Sequence, residues 1–158
     1  MIYPLPAVLV SCAAEGKSNF LTVAWTGTIC TDPAMCYVSI RPERFSHELI
    51  KAGVRSGRDY DKWAETGLHP EPGVKVQCPS IAESPVNIEC RVSQIIPLGS
   101  HDMIIGEVVN VKADEKLLDP QTGAFDLGAA GLMSYTHGAY YRQGEPIGRF
   151  GWSVKKKK

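Results

Sequence analysis

The sequence predicts a mainly β protein, an antiparallel barrel with a few short helices attached. Three observations carry this. Short runs of β-branched and aromatic residues recur along the chain. Fifteen glycines and eleven prolines among 158 residues supply many turns. Val86 to Ser93 alternates strictly between apolar and polar side chains, the mark of a strand with one face on a core and one in water. Periodicity alone is equally compatible with a sandwich of two sheets.

The elements follow in order. Ala7 to Cys12 reads as a buried first strand. Met1 to Ala14 has no basic start, and Pro4 and Pro6 interrupt its apolar part, so it reads as strand rather than signal peptide. Ala13 to Ser18 is the turn, with Gly16 free to take a positive φ. Asn19 to Trp25 is a second strand, Thr26 to Pro33 a polar loop closed by Asp32-Pro33, and Met35 to Ile40 a third strand. Ser46 is placed to cap a short helix through Ala52, which Gly53 stops. Asp59 to Thr66 forms a second helix with an acidic start and Gly67 at its C′ position. Leu68 to Ser80 is irregular. The alternating strand is followed by a loop over Leu98 to Asp102 and a return strand, Met103 to Ala113. Asp114 to Gly131 reads as linker and Leu132 to Tyr135 as a last strand.

This length fits one domain over residues 1–154, with Lys155 to Lys158 as a solvated basic tail. A hydrophobic share of 44% against 22% charged residues excludes disorder of the whole chain. Basic and acidic residues balance at 17 each, and no basic stripe stands out, so no nucleic-acid partner is expected. No apolar run approaches the roughly 20 residues of a membrane span, so no membrane partner is expected either. Five cysteines, none in C-x-x-C spacing, argue against a disulfide framework and fit free thiols in a reducing cytoplasm. Four scattered histidines offer no metal-ligating pattern, and no metal is expected.

Two stretches invite chemistry. Asn19 to Thr31 combines Asn, Trp and several Thr with Gly27, which suits the edge and face of a planar heterocycle. An ordinary threonine-rich turn explains the same residues. Ser39 to Ser46 gathers two guanidiniums, two hydroxyls and a helix start, which suits a phosphate. A strand end with surface ion pairs and a normal cap explains it equally well. Ser56-Gly57-Arg58-Asp59 offers an anion nest or plain capping, and His101 stands at a hairpin tip, where histidines are usually just solvated. A nucleotide-like cofactor would satisfy both stretches, and cofactor enzymes need little acid–base machinery of their own.

Several blocks together resemble the flavin reductase-like family, in its flavoredoxin-like branch. They are SNFLTVAWTGTICTDP, YVSIRPERFSHELI, SGRDYDKW, ESPVNIEC, LGSHDMIIGEVV and YTHGAYY, spread over most of the chain in the family's order. The resemblance implies an antiparallel split β-barrel of the FMN-binding type, a homodimer with FMN at its interface, and electron transfer from NADH or NADPH, or from a small redox protein, through FMN. A flavin-binding carrier or storage module without its own NAD(P)H oxidation is the alternative. By resemblance, Asn19 and Trp25 flank the isoalloxazine ring, and the loop of Thr26, Gly27 and Thr28 approaches its edge. Ser39, Arg41 and Ser46 match the phosphate segment, and Lys62 a basic residue near the cofactor. His101 matches the histidine of a G-D-H-like motif, with Ser100 in place of the usual Asp, and stands as the catalytic residue. His137 and Tyr140 fall in a block near the active site. The family usually carries another strand and helix between RPER and SGRD; here Ile50-Lys51-Ala52 runs directly into Gly53-Val54-Arg55. A barrel without that strand would leave unpaired edges.

Overall fold

A computed structural model describes residues 2–14, 16–44, 46–47 and 62–148. The helix expected after His47, the Ser56 to Asp59 turn, the Ala52-Gly53 junction and the lysine tail lie outside the described residues. The strands are β1 (Leu5–Pro6), β2 (Val8–Ala14), β3 (Lys17–Val23), β4 (Thr26–Thr31), β5 (Ala34–Ile40), β6 (Pro70–Glu71), β7 (Ser80–Ile81), β8 (Val86–Pro97), β9 (Asp102–Ala113), β10 (Met133–Thr136) and β11 (Ala139–Arg142). A short helix, α1, covers Lys62–Thr66. Every strand pairing is antiparallel. The main sheet runs β4-β5-β9-β8, beside the β2-β3 hairpin, a β1-β10-β11 sheet and the small β6-β7 pair. The fold is a split barrel of mainly β structure, as the sequence leads one to expect.

Val23, Ile40 and Ile104 form the buried centre, with Val10, Leu21, Val38 and Ile95 packed around them. These residues come from β2, β3, β5, β8 and β9, so the core joins the hairpin to the main sheet. Gly16 (φ +74°) turns β2 into β3. Gly67 (φ +70°) ends α1, and its N–H donates to the Trp63 carbonyl at 3.1 Å, the expected C′ role.

Four expectations need correction. Thr26 to Pro33 is not a loop. Thr26 to Thr31 is β4, paired with β5 apart from a bulge at Ile29, and only Asp32-Pro33 turns. Its threonines, isoleucine and cysteine suit a strand once a partner lies beside them. The alternation in β8 also does not sort core from solvent. Register shifts interrupt the ladder between Glu89 and Cys90, where Val109 of β9 is surplus, and between Val92 and Gln94, where Ser93 of β8 is surplus. Ile88 and Val92 are exposed, while Glu89 is buried. Glu89 accepts the backbone N–H groups of Val74 and Lys75, both at 2.7 Å, which hold its carboxyl below the usual carboxylate range. It thereby pins the stretch between β6 and β7 to the sheet.

Asp114 to Gly131 is more ordered than a linker. Short 3₁₀ turns cover Glu115–Leu117 and Leu127–Ala130, started by Asp114 and Asp126, whose carboxylates accept backbone N–H groups. Between them Asp119 accepts from Gln121, Thr122 and the Thr122 hydroxyl. Last, the chain does not stop pairing at Tyr135. His137 (φ 47°) and Gly138 (φ 89°) make a two-residue turn into β11. Two successive positive φ values are what a type I′ hairpin turn requires.

Candidate functional site

Trp25 stands between β3 and β4, at the corner where the hairpin meets the main sheet. Its carbonyl accepts the Ser39 N–H at 2.8 Å, which ties the corner to β5. Its indole is 41% exposed and stacks on the His101 imidazole, with centroids 4.3 Å apart and planes 30° from parallel. His101 is delivered by the β8–β9 hairpin tip. Gly99 (φ +91°) forms the bend there, the Leu98 N–H donates to the His101 carbonyl at 3.0 Å, and Ser100 Oγ sits 3.0 Å from His101 Nδ1. Two residues 76 positions apart in number thus make one half-open aromatic platform.

Strand β4 runs away from this platform. The Thr26 hydroxyl donates to the Tyr37 carbonyl at 2.6 Å. Gly27 passes so close to Tyr37 that a β-carbon there would lie 3.1 Å from the ring. Thr28 is exposed, opposite Cys36 in register. Beyond Ser39 and Ile40, Arg41 is exposed just past the end of β5. The chain turns there, with the Arg44 N–H donating to the Arg41 carbonyl and the His47 N–H to the Arg44 carbonyl.

Behind the platform lies a buried polar layer. Asn19 Nδ2 donates to Ser46 Oγ at 3.1 Å, both residues being buried. Ser46 is already helical backbone with its hydroxyl turned inward, rather than the expected N-cap. The next residue, His47, places Nε2 2.9 Å from Asp102 Oδ2, and both are buried. Asp102 directly follows His101 and opens β9 opposite Ile40. One connected set of contacts therefore runs from Asn19 through Ser46, His47 and Asp102 to the His101 tip. Lys62 closes the other side. Its ammonium donates to the Phe20 carbonyl at 2.9 Å and lies 6.0 Å from that ring. Trp63 meets the same ring edge-on at 4.8 Å and donates to Ser18 Oγ.

The sequence-derived residues thus separate into groups. Trp25 and His101 meet, Ser39 is tied to the Trp25 carbonyl, Thr26 to Thr28 follow along β4, and Arg41 is exposed just past β5. Asn19, Ser46 and Lys62 stand behind or beside them, holding backbone and helix start in place. His137 and Tyr140 belong to an aromatic cluster on the β10–β11 hairpin, His137 against Tyr3 at 4.6 Å and Tyr140 against Tyr135 at 5.5 Å. His47 and Asp102 were not among the expected site residues. No spacing rule links groups 55 positions apart; the only signal was their adjacency to Ser46 and His101.

Comparison with known proteins fits this geometry. Residues 1–55 and 51–143 match the flavin reductase like domain. The chain belongs to the flavin reductase-like family. Flavoredoxin of Desulfovibrio vulgaris (Miyazaki F) superposes with a TM-score of 0.86 at 28% identity, covering 98% of this chain and 94% of that one. An FMN-binding protein from Thermus thermophilus, solved with bound 1-cyclohex-2-enone, gives 0.74 at 27% identity over 93% and 90% of the two chains. An uncharacterized protein of Pyrococcus abyssi is 30% identical over 129 residues, which is 69% of this chain and 74% of the relative.

A flavin mononucleotide needs a flat apolar face, hydrogen-bonding groups at a ring edge, and a cation for its phosphate. Among the described residues, Trp25 and His101 present a half-exposed aromatic face, Thr28 an exposed hydroxyl and Arg41 an exposed cation, which are groups of these kinds. The donor set fits the group.

Proposed function

We propose that this chain binds FMN and acts as an oxidoreductase. It would move electrons from NADH or NADPH, or from a small redox protein, through the flavin to an acceptor. The observation that carries this reading is the half-exposed Trp25–His101 stack at the head of β4. Bound FMN would supply the electron-transfer chemistry that side chains lack. Trp25 would cover part of the ring, and Thr28 would face its edge. Arg41 would fork to phosphate oxygens, with Ser39 and the turn at Arg44 holding it in position. His101 would orient the ring or the nicotinamide against it. Asn19, Ser46 and Lys62 would act from behind by fixing the walls.

Likeness to a protein named flavoredoxin favours a second reading, an electron carrier without its own NAD(P)H oxidation. The visible absorption spectrum, recorded before and after anaerobic NADH or NADPH, separates the two. A flavin spectrum that bleaches supports the reductase and names its donor. One that persists supports the carrier, or an enzyme fed by a small redox protein. No flavin, even after added FMN, defeats both.

We also propose that two copies associate through the outer face of the β8–β9 pair. Ile88 and Val111 lie opposite each other there, 57% and 54% exposed. An apolar pair this open can form the centre of a contiguous patch of the kind that marks an interaction surface. Ile88→Asp is expected to shift the sedimentation coefficient from dimer to monomer; an unchanged value removes this face from the interface.

A further inference from the structure

Cys36 and Cys90 stand on β5 and β8, which are not neighbours, since β9 runs between them. Side chains two strands apart are ordinarily about 9–10 Å from one another. Here the two Sγ atoms lie 3.5 Å apart. Two features close the gap. The β9 residue opposite Cys36 is Gly106, which is also opposite Val92 on β8. It has no side chain to keep the thiols apart, and a β-carbon there would come 2.9 Å from Cys90 Cβ. The second is the register shift between Glu89 and Cys90, where Val109 of β9 is surplus and Cys90 pairs with Val108 instead, so Cys90 stands one β9 residue nearer Gly106 than regular pairing would place it.

We propose that Cys36 and Cys90 are a redox-active dithiol that exchanges with small-molecule disulfides of the glutathione type. Both thiols are only partly buried, so a small disulfide has access. A hydrogen bond from the Cys90 thiol lowers Cys36 to about 7 against the opposing effect of burial, and raises Cys90. Cys36 is therefore the attacking sulfur. Burial works the other way on Cys12, pushed up to about 11, and on Cys78, also raised, which leaves both as poor nucleophiles.

The exchange has two balanced steps. The Cys36 thiolate attacks one sulfur of the small disulfide RSSR. A protein–SR bond forms, the RS–SR bond breaks, and RS⁻ leaves to take up a proton. Cys90 then gives its proton to solvent and attacks Cys36 Sγ, and the second RS⁻ leaves and is protonated. Two protein thiols and one RSSR become one protein disulfide and two RSH. The protein loses two electrons, and the small disulfide gains them. Forming the bond requires the sulfurs to close from 3.5 Å to the roughly 2.05 Å of a disulfide.

The test is to treat the whole protein with glutathione disulfide, quench with acid, alkylate the remaining thiols and map the peptides by mass. The expected result is a Cys36–Cys90 link with Cys12, Cys30 and Cys78 alkylated, reversed by dithiothreitol. In Cys90→Ser, a stable glutathione adduct should accumulate on Cys36. In Cys36→Ser, modification of Cys90 should slow by more than tenfold. A wild-type protein that keeps Cys36 unreacted, or holds glutathione on Cys36 without linking it to Cys90, overturns the proposal. The peptide map reads the thiols whether or not FMN is bound, so this outcome is independent of the flavin reading.

Discussion

Arg41→Ala weakens FMN binding by about 1.5–3 kcal/mol, roughly ten- to a hundred-and-fifty-fold in Kd. The reason is the kind of bond lost. A guanidinium forked onto a phosphate makes charge-assisted hydrogen bonds, roughly twice as strong as neutral ones. Arg41 is exposed past the end of β5, outside the buried core, so its removal should leave the fold intact. Fluorescence titration of free FMN reads the affinity, and urea denaturation of the FMN-free protein reads the fold. Arg41→Lys should fall between wild type and Ala, because an ammonium keeps the charge but loses the fork. An Ala variant with unchanged affinity removes Arg41 from the phosphate site.

His47→Ala has the larger effect on the fold. His47 and Asp102 are both buried, 2.9 Å apart, and join the start of the helix after β5 to the start of β9. Removing one partner of a buried hydrogen bond leaves the other unsatisfied out of water, at about 1–3 kcal/mol, and the cavity left by the imidazole adds to that cost. A loss of about 3 kcal/mol or more is expected in the urea-extrapolated stability. Because Asp102 carries His101 beside it, the stack on Trp25 should loosen as well. Near-ultraviolet circular dichroism of Trp25 would report that. His47→Gln, which keeps a donor toward Asp102, should recover part of both signals. A His47→Ala protein as stable as wild type would mean the pair contributes nothing net.

Much of the fold was legible because strands announce themselves locally. Asn19 to Val23 and Met35 to Ile40 are β-branched and apolar enough to be strands in any surroundings. The loop between Leu98 and Asp102 and the glycine after Thr66 carried their own turn chemistry. What stayed hidden depended on partners. Thr26 to Thr31 looks like a loop until β5 lies beside it. The β10–β11 turn needed His137 at positive φ, a position where glycine or asparagine would have been the usual signal. The site followed the same rule. Trp25 and Arg41 stand in stretches whose residue types suit a cofactor, His101 was named only by the family resemblance, and Trp25 and His101 do meet. The Asn19–Ser46 and His47–Asp102 contacts span 27 and 55 positions, and nothing short of the fold brings them together.

The broken pleat of β8 also bears on how this family can drift. In an unbroken strand, neighbouring residues hold fixed and opposite assignments, so a side chain changes faces only by mutation. At a bulge the assignment hangs on one surplus residue. In β8 that residue is Ser93, skipped between Val92 opposite Gly106 and Gln94 opposite Ile105; excising it would restore regular pleating and turn the residues on one side of it to the opposite face without altering any side chain. Insertions and deletions in this short window therefore act as coarse substitutions at several positions at once. Aligning relatives across it by residue type alone would pair positions that face opposite ways.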